Sequence, residues 1–225
     1  MKLTVIIPVY NEIGTIAEVI KRVKESHFHK EVIVVDDGST DGTRDILAGL
    51  RNSVKVFFHE ANQGKGAAIR TALPHVTGDI VVIQDADLEY NPSEYPCLIA
   101  PILEGAADVV YGSRFIGEPN RVLFSWHSLG NKIVTTLSNM LSDLNLSDME
   151  TGYKVFRAEA LKKMKIECNR FGFEPEVTSK IARMGYRIYE VPISYRGRNY
   201  SEGKKIKWED GVAAIYWIIK YNLFR

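Results

Sequence analysis

Short apolar runs that alternate with helical patterns through the first half of the chain constrain the fold more than any other feature of the sequence. Residues 3–7 are apolar almost throughout, which is typical of a strand buried on both faces of a sheet. Further runs of this kind occur at residues 31–35, 54–58, 79–83 and 108–111, with helical patterns between them. Strands and helices that alternate at this spacing predict an α/β fold with a mostly parallel central sheet flanked by helices.

The alternation breaks down after about residue 117, and the second part of the chain is predicted to extend the same domain. Its pattern indicates a helix, a strand, a helix, a strand, a basic loop and a C-terminal amphipathic helix, at residues 125–141, 152–156, 174–184, 187–194, 197–207 and 209–221. No internal repeat, linker or apolar stretch of membrane-spanning length is recognisable. The sequence therefore predicts one domain over residues 1–225 without a transmembrane segment.

The 225 residues carry 29 Lys+Arg and 28 Asp+Glu, a formal net charge of +1 that gives no electrostatic reason to expect a nucleic-acid partner. The charge is unevenly distributed, because residues 1–150 hold 13 Lys+Arg against 20 Asp+Glu (−7) and residues 151–225 hold 16 against 8 (+8). Cys97 and Cys168 stand apart, without the spacing of a zinc site or a disulfide framework, and no signal peptide is recognisable. We therefore expect a reduced, cytoplasmic setting.

Polar clusters follow four of the predicted strands at the point where each strand ends. They lie at residues 8–12, 36–41, 85–87 and 112–114. Asp, Asn, Gly and Ser favour turns, so any one cluster alone is explained by turn chemistry. Because ligands bind at the carboxyl ends of the strands in open parallel sheets, four clusters in succession predict a shared binding site at this edge.

Asp85 and Asp87, separated by the small residue Ala86, are the strongest chemical signal in these clusters. Two carboxylates on a short turn suit a divalent cation whose remaining ligands are phosphate oxygens, and Glu89 offers a third carboxylate. A ligand set made of oxygen atoms favours Mg²⁺ or Mn²⁺ over zinc. The sequence has neither a Gly-x-Gly-x-x-Gly motif after its first strand nor a P-loop, which disfavours a dinucleotide oxidoreductase and a P-loop NTPase.

Taken in order along the chain, these motifs resemble the signature of family 2 glycosyltransferases with the GT-A fold. Within that family the chain is similar to the dolichol- or polyprenyl-phosphate mannosyltransferase branch. The resemblance runs from residue 4 to about residue 207 and is carried by residues 8–12, 35–41, 62–66, 85–87, 111–115 and 148–154, with Arg198 and residues 203–205. Each motif is weak alone, and their combination in this order is specific.

The resemblance implies roles for individual side chains. Pro8, Tyr10 and Glu12 would line the pocket for the base and the ribose, and Val35 and Asp37 would contact the base. The implied substrate-binding set is Pro8, Tyr10, Glu12, Val35, Asp37, Asp85, Ala86 and Lys204, the metal ligands are Asp85, Asp87 and Glu89, and the catalytic residues are Asp87, Arg114, Asp148 and Arg198. Relatives often carry Gln at position 89, so Glu89 departs from the family pattern and its direct ligation stays open.

The activity implied by the resemblance is transfer of a hexose, mannose or glucose, from a GDP- or UDP-sugar to polyprenyl or dolichyl phosphate. The transfer would invert the anomeric carbon and use Mg²⁺ or Mn²⁺ as cofactor. Residues 1–115 would bind the nucleotide sugar, and residues 116–225 would bind the acceptor. A lipid phosphate is already an anion, so Asp148 would orient the reactants, whereas a hydroxyl acceptor would need Asp148 or Glu150 as a base.

Three other functions are compatible with parts of the pattern. A family 2 enzyme of cell-envelope polysaccharide synthesis would use a saccharide or another hydroxyl acceptor. A nucleotide-binding module without catalytic activity would keep the fold, but it has no need for the intact charged set. A nucleotidyltransferase is disfavoured, because no Gly-rich phosphate loop follows the first strand.

The sequence also predicts contact with a membrane surface on its cytoplasmic face, and a homo-oligomer or a membrane-protein partner is a further option. One face of the C-terminal helix is expected to pack on the sheet, and it carries Trp208, Val212, Ile215, Tyr216, Ile219 and Leu223. Trp217 and Phe224, beside Lys220 and Arg225, are typical of an interfacial anchor. A lip for the lipid chain is expected to comprise Val122, Leu123, Phe124, Trp126 and Leu129.

Overall fold

The computed structural model describes residues 1–117, 125–170, 172–197 and 208–224. Within these residues the strands are β1 (Leu3–Val9), β2 (Lys30–Asp36), β3 (Lys55–Phe58), β4 (Ile80–Ile83), β5 (Val109–Ser113), β6 (Lys154–Arg157) and β7 (Ile188–Pro192). The helices are α1 (Ile16–Glu25), α2 (Thr43–Gly49), α3 (Lys65–Ala72), α4 (Tyr95–Leu103), α5 (Ser125–Ser142), α6 (Ala158–Lys163), α7 (Phe173–Arg183) and α8 (Trp208–Leu223). Each predicted strand and helix has a counterpart, and the short helix α6 was not predicted.

The strands form one sheet in the order β3-β2-β1-β4-β6-β5-β7. The pairs β1–β2, β1–β4, β2–β3 and β5–β7 are parallel, and β6 runs antiparallel between β4 and β5. The predicted mostly parallel sheet is therefore confirmed. Because β6 is antiparallel, its first residue, Lys154, lies beside Ile83 at the carboxyl end of β4. The residues that precede β6 consequently reach the same edge as the polar clusters.

Helices cover both faces of the sheet, and a hydrophobic cluster lies under each layer. One cluster joins the sheet to α1, α2 and α4, and the other joins it to α3, α5, α6, α7 and α8. Successive residues of β1 alternate between the two clusters, with Val5 and Ile7 in the first and Ile6 in the second. Side chains of a strand point alternately to opposite faces, so a strand covered on both faces is apolar throughout.

The first strand is longer than predicted, because Pro8 and Val9 belong to it. Pairing between β1 and β4 ends at Ile6, whose carbonyl accepts a hydrogen bond from the N–H of Gln84. Two residues further along β1, the backbone of Pro8 also faces β4, but it lies beyond the last β1–β4 pair. The absence of an N–H in proline therefore costs the sheet no hydrogen bond at this position. Pro8 is thus part of β1 but lies beyond the end of the neighbouring strand β4.

The C-terminal helix α8 buries a face that overlaps only in part with the one predicted, through Ile215, which is partly buried against the core. Ala214, Ile218 and Tyr221 are buried where α8 packs against α5 and α7, whereas Val212 and Tyr216 are more than half exposed. The buried residues follow the spacing of a single helical stripe. The prediction was wrong because α8 lies on neighbouring helices rather than directly on the sheet.

The predicted membrane-contacting residues have different surroundings. Trp217 is half-buried, stacks on Tyr221 with ring centroids 5.6 Å apart and lies against Gly172, so it packs within the protein. Phe224 and Leu129 are exposed. Of the predicted lip, residues 122–124 and the side chain at 126 lie outside the described part of the chain. No helix in the described ranges has the length and apolar character needed to span a membrane.

Candidate active site

The carboxyl ends of β1, β2, β4 and β5 meet at one edge of the sheet, where the polar clusters were predicted to converge. The loop after β1 is bound to the clusters on both sides of it. Asn11 accepts a hydrogen bond from the N–H of Thr40 at 2.8 Å, which fixes the loop to the end of β2. The hydroxyl of Thr15 lies 2.9 Å from a carboxylate oxygen of Glu12 and 2.9 Å from the carbonyl oxygen of Ala86. Glu12 and Ala86 are therefore held at one point of the edge.

Asp37, after β2, is buried and organises the loop that leads into α3. Its Oδ1 lies 2.7 Å from Nδ1 of His59 and accepts a hydrogen bond from the N–H of Gln63 at 2.9 Å. Its Oδ2 accepts a hydrogen bond from the N–H of Gly64 at 2.6 Å. Val35 is completely buried in the core, so its side chain does not line the open edge. The role of both residues in base binding stays a prediction.

Asp85, after β4, is half-buried and paired with Lys65, to which the sequence motifs assign no role. Nζ of Lys65 lies 2.8 Å from Oδ1 of Asp85 and 2.9 Å from Oε1 of Glu174. Burial opposes the charge of Lys65, but the two carboxylates outweigh burial and raise the pKa of Lys65 above its ordinary value. One ammonium is therefore shared between two carboxylates, one from the turn after β4 and one from α7.

Asp87 and Glu89 complete the turn after β4. Oδ1 of Asp87 accepts a hydrogen bond from the N–H of Glu89 at 3.1 Å, so Asp87 shapes its own turn. Oε2 of Glu89 accepts a hydrogen bond from the hydroxyl of Tyr195 at 2.8 Å. The amide of Gln84 donates to the carbonyl of Asp85 at 3.1 Å and fixes the start of the turn from below.

Arg114, after β5, is held by Asp148 in a bidentate pair. Nε of Arg114 lies 2.7 Å from Oδ2 of Asp148, and Nη2 lies 2.8 Å from Oδ1. The backbone N–H of Arg114 also donates to Oδ2 at 3.1 Å, and the amide of Asn131 donates to Oδ1 at 3.3 Å. Asp148 is completely buried, and both of its oxygens accept hydrogen bonds from these groups. Its geometry suits orientation of the guanidinium rather than abstraction of a proton.

The turn between Asp148 and β6 connects the two ion pairs. Nζ of the buried Lys154 donates to the carbonyls of Met149 at 2.8 Å and Thr151 at 2.6 Å, on either side of Glu150. Gly152 lies so close to the carboxylate of Asp85 that a Cβ at this position would collide with it. The turn therefore lies directly beside Asp85 at one end and provides Asp148 at the other.

Glu150 carries a buried Oε1 that has no hydrogen-bond partner within the described residues. Burial, reinforced by the charge of Glu174, raises the pKa of Glu150 to about 8. Burial lowers the pKa of Lys154 to about 8. A carboxyl group with a raised pKa near a binding edge has the properties of a proton-transfer group.

The chemistry of the Asp85–Glu89 turn fits a hard divalent cation. Asp85, Asp87 and Glu89 offer carboxylate oxygens, which Mg²⁺ and Mn²⁺ prefer. Among the residues described, no group of three or more His, Cys, Asp or Glu side chains is arranged to hold a metal ion. A cation at this turn would take some of its ligands from a bound substrate, and the predicted ligand set stays a prediction.

The structure brings most of the predicted site residues to one edge of the sheet, with Val35 packed in the core beneath it. Arg198 and Lys204 lie outside the residues that the structure describes. Sequence reasoning missed the bridging roles of Lys65 and Glu174. Lys65 belongs to a motif that carried the resemblance, whereas Glu174 was interpreted only as the beginning of a helix.

Comparison with known proteins assigns the family. The family described as Glycosyl transferase family 2 matches residues 4–165, which is most of the chain. The chain belongs to glycosyltransferase family 2. The resemblance seen in the ordered motifs is therefore confirmed, and the protein is a family 2 glycosyltransferase.

Two relatives of this family 2 glycosyltransferase differ in how much of their length it covers. The undecaprenyl-phosphate mannosyltransferase of Micrococcus luteus is 33% identical over 218 residues, which cover 91% of this chain and 87% of that protein. Glycosyltransferase AglJ of Haloferax volcanii is 31% identical over 195 residues, which cover 86% of this chain and 63% of AglJ. The chain thus spans most of the first relative and less than two thirds of the second.

The fold is also found in a solved structure. Glucosyl-3-phosphoglycerate synthase from Mycobacterium tuberculosis, in a complex with Mn²⁺, UDP and glucosyl-3-phosphoglycerate, superposes with a TM-score of 0.77 at 23% identity. The match covers 98% of this chain and 80% of that chain. The predicted GT-A fold is confirmed by this likeness.

Proposed function

We propose that this family 2 glycosyltransferase transfers a hexose, mannose or glucose, from a GDP- or UDP-sugar to polyprenyl or dolichyl phosphate with inversion at the anomeric carbon. The name of the Micrococcus luteus relative supports this choice of acceptor and of mannose. In this proposal residues 1–115 bind the nucleotide sugar and residues 116–225 bind the acceptor, with Arg114, at the end of the first part, held toward the acceptor by Asp148 of the second. The second part also contains the predicted basic loop, which carries Arg198 and Lys204.

The observation that carries the proposal is the bidentate pair of Arg114 and Asp148. Asp148 is buried and accepts hydrogen bonds from Arg114 and Asn131, so its carboxylate is committed to orienting the guanidinium. Arginine keeps its charge at all physiological pH values, and its guanidinium has five N–H donors, more than the two that bind the Asp148 side chain. An oriented Arg114 suits a phosphate acceptor, which attacks as an anion and needs no base.

On the donor side, Asp85, Asp87 and Glu89 would hold Mg²⁺ or Mn²⁺ together with the diphosphate. When bound, such a cation neutralises the charge that develops on the leaving diphosphate. The base and ribose would lie at the ends of β1 and β2 and at the turn after β4, against Pro8, Tyr10, Glu12, Asp37 and Ala86, with Val35 packed in the core beneath them. This placement agrees with the position of the Thr15 hydroxyl, which lies within hydrogen-bond distance of both the Glu12 carboxylate and the Ala86 carbonyl.

A second candidate function, transfer to a saccharide or another hydroxyl acceptor, is favoured by Glu150. A hydroxyl nucleophile must lose a proton, and Glu150 has a buried oxygen without a partner in the described structure and a pKa raised to about 8. We rank this function second because Glu150 is hydrogen-bonded to no described group that would aim it at an acceptor, whereas Arg114 is fixed in place.

We also propose that the protein works at the cytoplasmic face of a membrane as a peripheral enzyme. The packed helices α5 and α8 and the residue after α8 expose apolar side chains, namely Leu129, Ile133, Met140, Val212, Tyr216, Leu223 and Phe224. Apolar helix faces beside lysine are typical of helices that lie in a lipid interface, and Lys220 is exposed on α8. A polyprenyl acceptor would be presented from the same surface.

The proposal is tested by incubating the enzyme and Mn²⁺ with labelled GDP-mannose, GDP-glucose, UDP-mannose or UDP-glucose. Each donor is paired with polyprenyl phosphate or with a soluble saccharide, and the products are extracted into organic solvent. We expect label in the organic phase with one of the donors and with polyprenyl phosphate. Label that stays in the aqueous phase as a saccharide product would favour the second candidate, and donor that is never consumed would contradict both.

A further inference from the structure

Lys65 bridges Asp85 to Glu174, and neither Lys65 nor Glu174 has a part in the proposed function. The ammonium is 2.8 Å from Asp85 and 2.9 Å from Glu174, and the Glu174 side chain is only 7% exposed. Lys65 begins α3 and Glu174 lies in the first turn of α7, so the bridge ties two helices to the turn after β4.

The backbone around Lys65 is fixed independently of the ion pairs. The N–H of Ala67 donates to the carbonyl of Asn169 at 3.1 Å, which fastens the start of α3 to the segment before α7. Gly66 lies so close to the carbonyl of Cys168 that a Cβ would not fit between them. Changes to the Lys65 side chain therefore alter charge at this point more than they alter the path of the chain.

The carboxylates of Asp85 and Glu174 compete for the ammonium of Lys65. Each carboxylate weakens the hold of the other on Lys65, because the positive charge sits between them at almost equal distances. A divalent cation at Asp85 would face the ammonium as a like charge and Glu174 as an opposite charge. Lys65 then opposes binding of the cation, and Glu174 favours it.

We propose that Lys65 acts as an internal counter-cation of Asp85 in the free enzyme and that Lys65 and Glu174 together set the affinity of the Asp85–Asp87 turn for a divalent cation. The inference rests on the proposed function in one respect, the assignment of Asp85 to the cation. Lys65 and Glu174 are positioning residues in this scheme, because they act on the cation through Asp85.

The test is binding of Mn²⁺ alone to the 225-residue protein without nucleotide, measured by the electron paramagnetic resonance signal of free Mn²⁺. Lys65→Met is expected to bind Mn²⁺ about tenfold more tightly than the unmodified protein, because a like charge is removed. Glu174→Gln is expected to bind it about threefold more weakly, because Lys65 then pairs with Asp85 alone. Lys65→Arg keeps the charge and is expected to stay close to the unmodified protein.

A matched control is Glu31→Gln, since Glu31 is shared between Lys2 and Lys55 at the opposite end of the strands. It removes the same charge far from Asp85 and is expected to leave Mn²⁺ affinity unchanged. Circular dichroism and unfolding temperature identify any variant that fails to fold, and Glu174→Gln carries the test alone if Lys65→Met is such a variant.

Shifts of opposite sign for Lys65→Met and Glu174→Gln would support the inference. Equal affinities in these variants, shifts of the same sign, or no Mn²⁺ binding by either the unmodified protein or Lys65→Met would overturn it. The readout contains neither donor nor acceptor, so failure of hexose transfer with intact opposite shifts would contradict the proposed function and leave the inference standing.

Discussion

Two half-buried cations at the edge of the sheet, Lys65 and Arg114, are paired in opposite ways. Lys65 is a point charge shared between the carboxylates of Asp85 and Glu174. Arg114 is a planar group held by the single carboxylate of Asp148 through two parallel hydrogen bonds. A shared ammonium can be redistributed when a charged ligand arrives, whereas a bidentate pair keeps its direction. We interpret the first as an adjustable charge on the donor side and the second as a fixed one on the acceptor side.

The largest effect on activity is expected for Asp87→Ala, which removes a carboxylate from the turn after β4, on the donor side. We expect hexose transfer to fall by at least about a hundredfold, because the charge that stabilises the leaving diphosphate is lost with the cation. Initial rates at saturating donor and Mn²⁺ measure the effect. Asp45→Ala, at an exposed position on α2, is the control and should keep full activity. Full activity in Asp87→Ala would remove the donor-side assignment.

The two ion pairs should also differ in what they contribute to stability. Asp148→Ala leaves the half-buried Arg114 without its carboxylate partner, and we expect a loss of about 3 kcal/mol in the free energy of unfolding. Glu174→Ala leaves Lys65 paired with Asp85 at 2.8 Å, so we expect a loss of about 1 kcal/mol. Urea unfolding curves of the two variants measure both losses. Equal losses would show that the sharing of Lys65 is not a real difference between the two sides.

The turn between Asp148 and β6 contains Glu150, and this residue should make the free energy of unfolding depend on pH. Its pKa is raised to about 8, so between pH 4.5 and about 8 the folded protein keeps a proton that the unfolded chain has released. Stability therefore falls as pH rises through this window. Lys154, with a pKa lowered to about 8, is protonated in both states below that pH and adds no slope there.

Glu150→Gln removes this dependence. We expect the unfolding temperature of the variant, taken relative to that of the unmodified protein, to increase as pH rises from 5 to 8. Thermal unfolding at pH 5, 6, 7 and 8 measures the difference. A difference that stays constant with pH, or one that shrinks, would mean that Glu150 is ionised throughout the window.

The smallest effect concerns the exposed face of α8, where neither ion pair is involved. Tyr216→Ser should change the free energy of unfolding by no more than about 0.5 kcal/mol, because Tyr216 is exposed. It should weaken binding to anionic liposomes, measured by sedimentation, if this face touches lipid. Tyr189→Ser, at an exposed position on β7, is the matched control. Equal liposome binding by both variants would contradict the proposed membrane surface.

Much of the fold was predictable because its signals are local. Apolar runs and helical patterns depend on neighbouring residues, so the strands were found within a few residues of their ends. The antiparallel insertion of β6 between β4 and β5 depends on which distant strands pair, and the spacing of the elements does not encode that. The buried face of α8 was predicted wrongly for the same reason, since it depends on contacts with α5 and α7.

The candidate site, too, was predictable in its local features and not in its long-range contacts. The polar ends of the strands were visible as motifs, and the structure places Asp85, Asp87, Arg114 and Asp148 at one edge. The pairings within that edge were not visible. Lys65 and Glu174 lie far apart in sequence and meet at Asp85 because α3 and α7 begin beside one another. Asp148 could be a base or an orienting group on sequence grounds, and its two bonds to Arg114 depend on the folded chain.

The orienting role of Asp148 is tested most directly by the pH profile of Asp148→Asn with polyprenyl phosphate as acceptor. Asparagine keeps one oxygen that accepts a hydrogen bond from Arg114, but it cannot remove a proton. We predict a loss of about tenfold in kcat/KM, while the acidic limb of the profile, the fall of kcat/KM toward low pH, stays unchanged. A collapse of about 10⁴-fold together with loss of that limb would contradict the orienting role and identify Asp148 as the base.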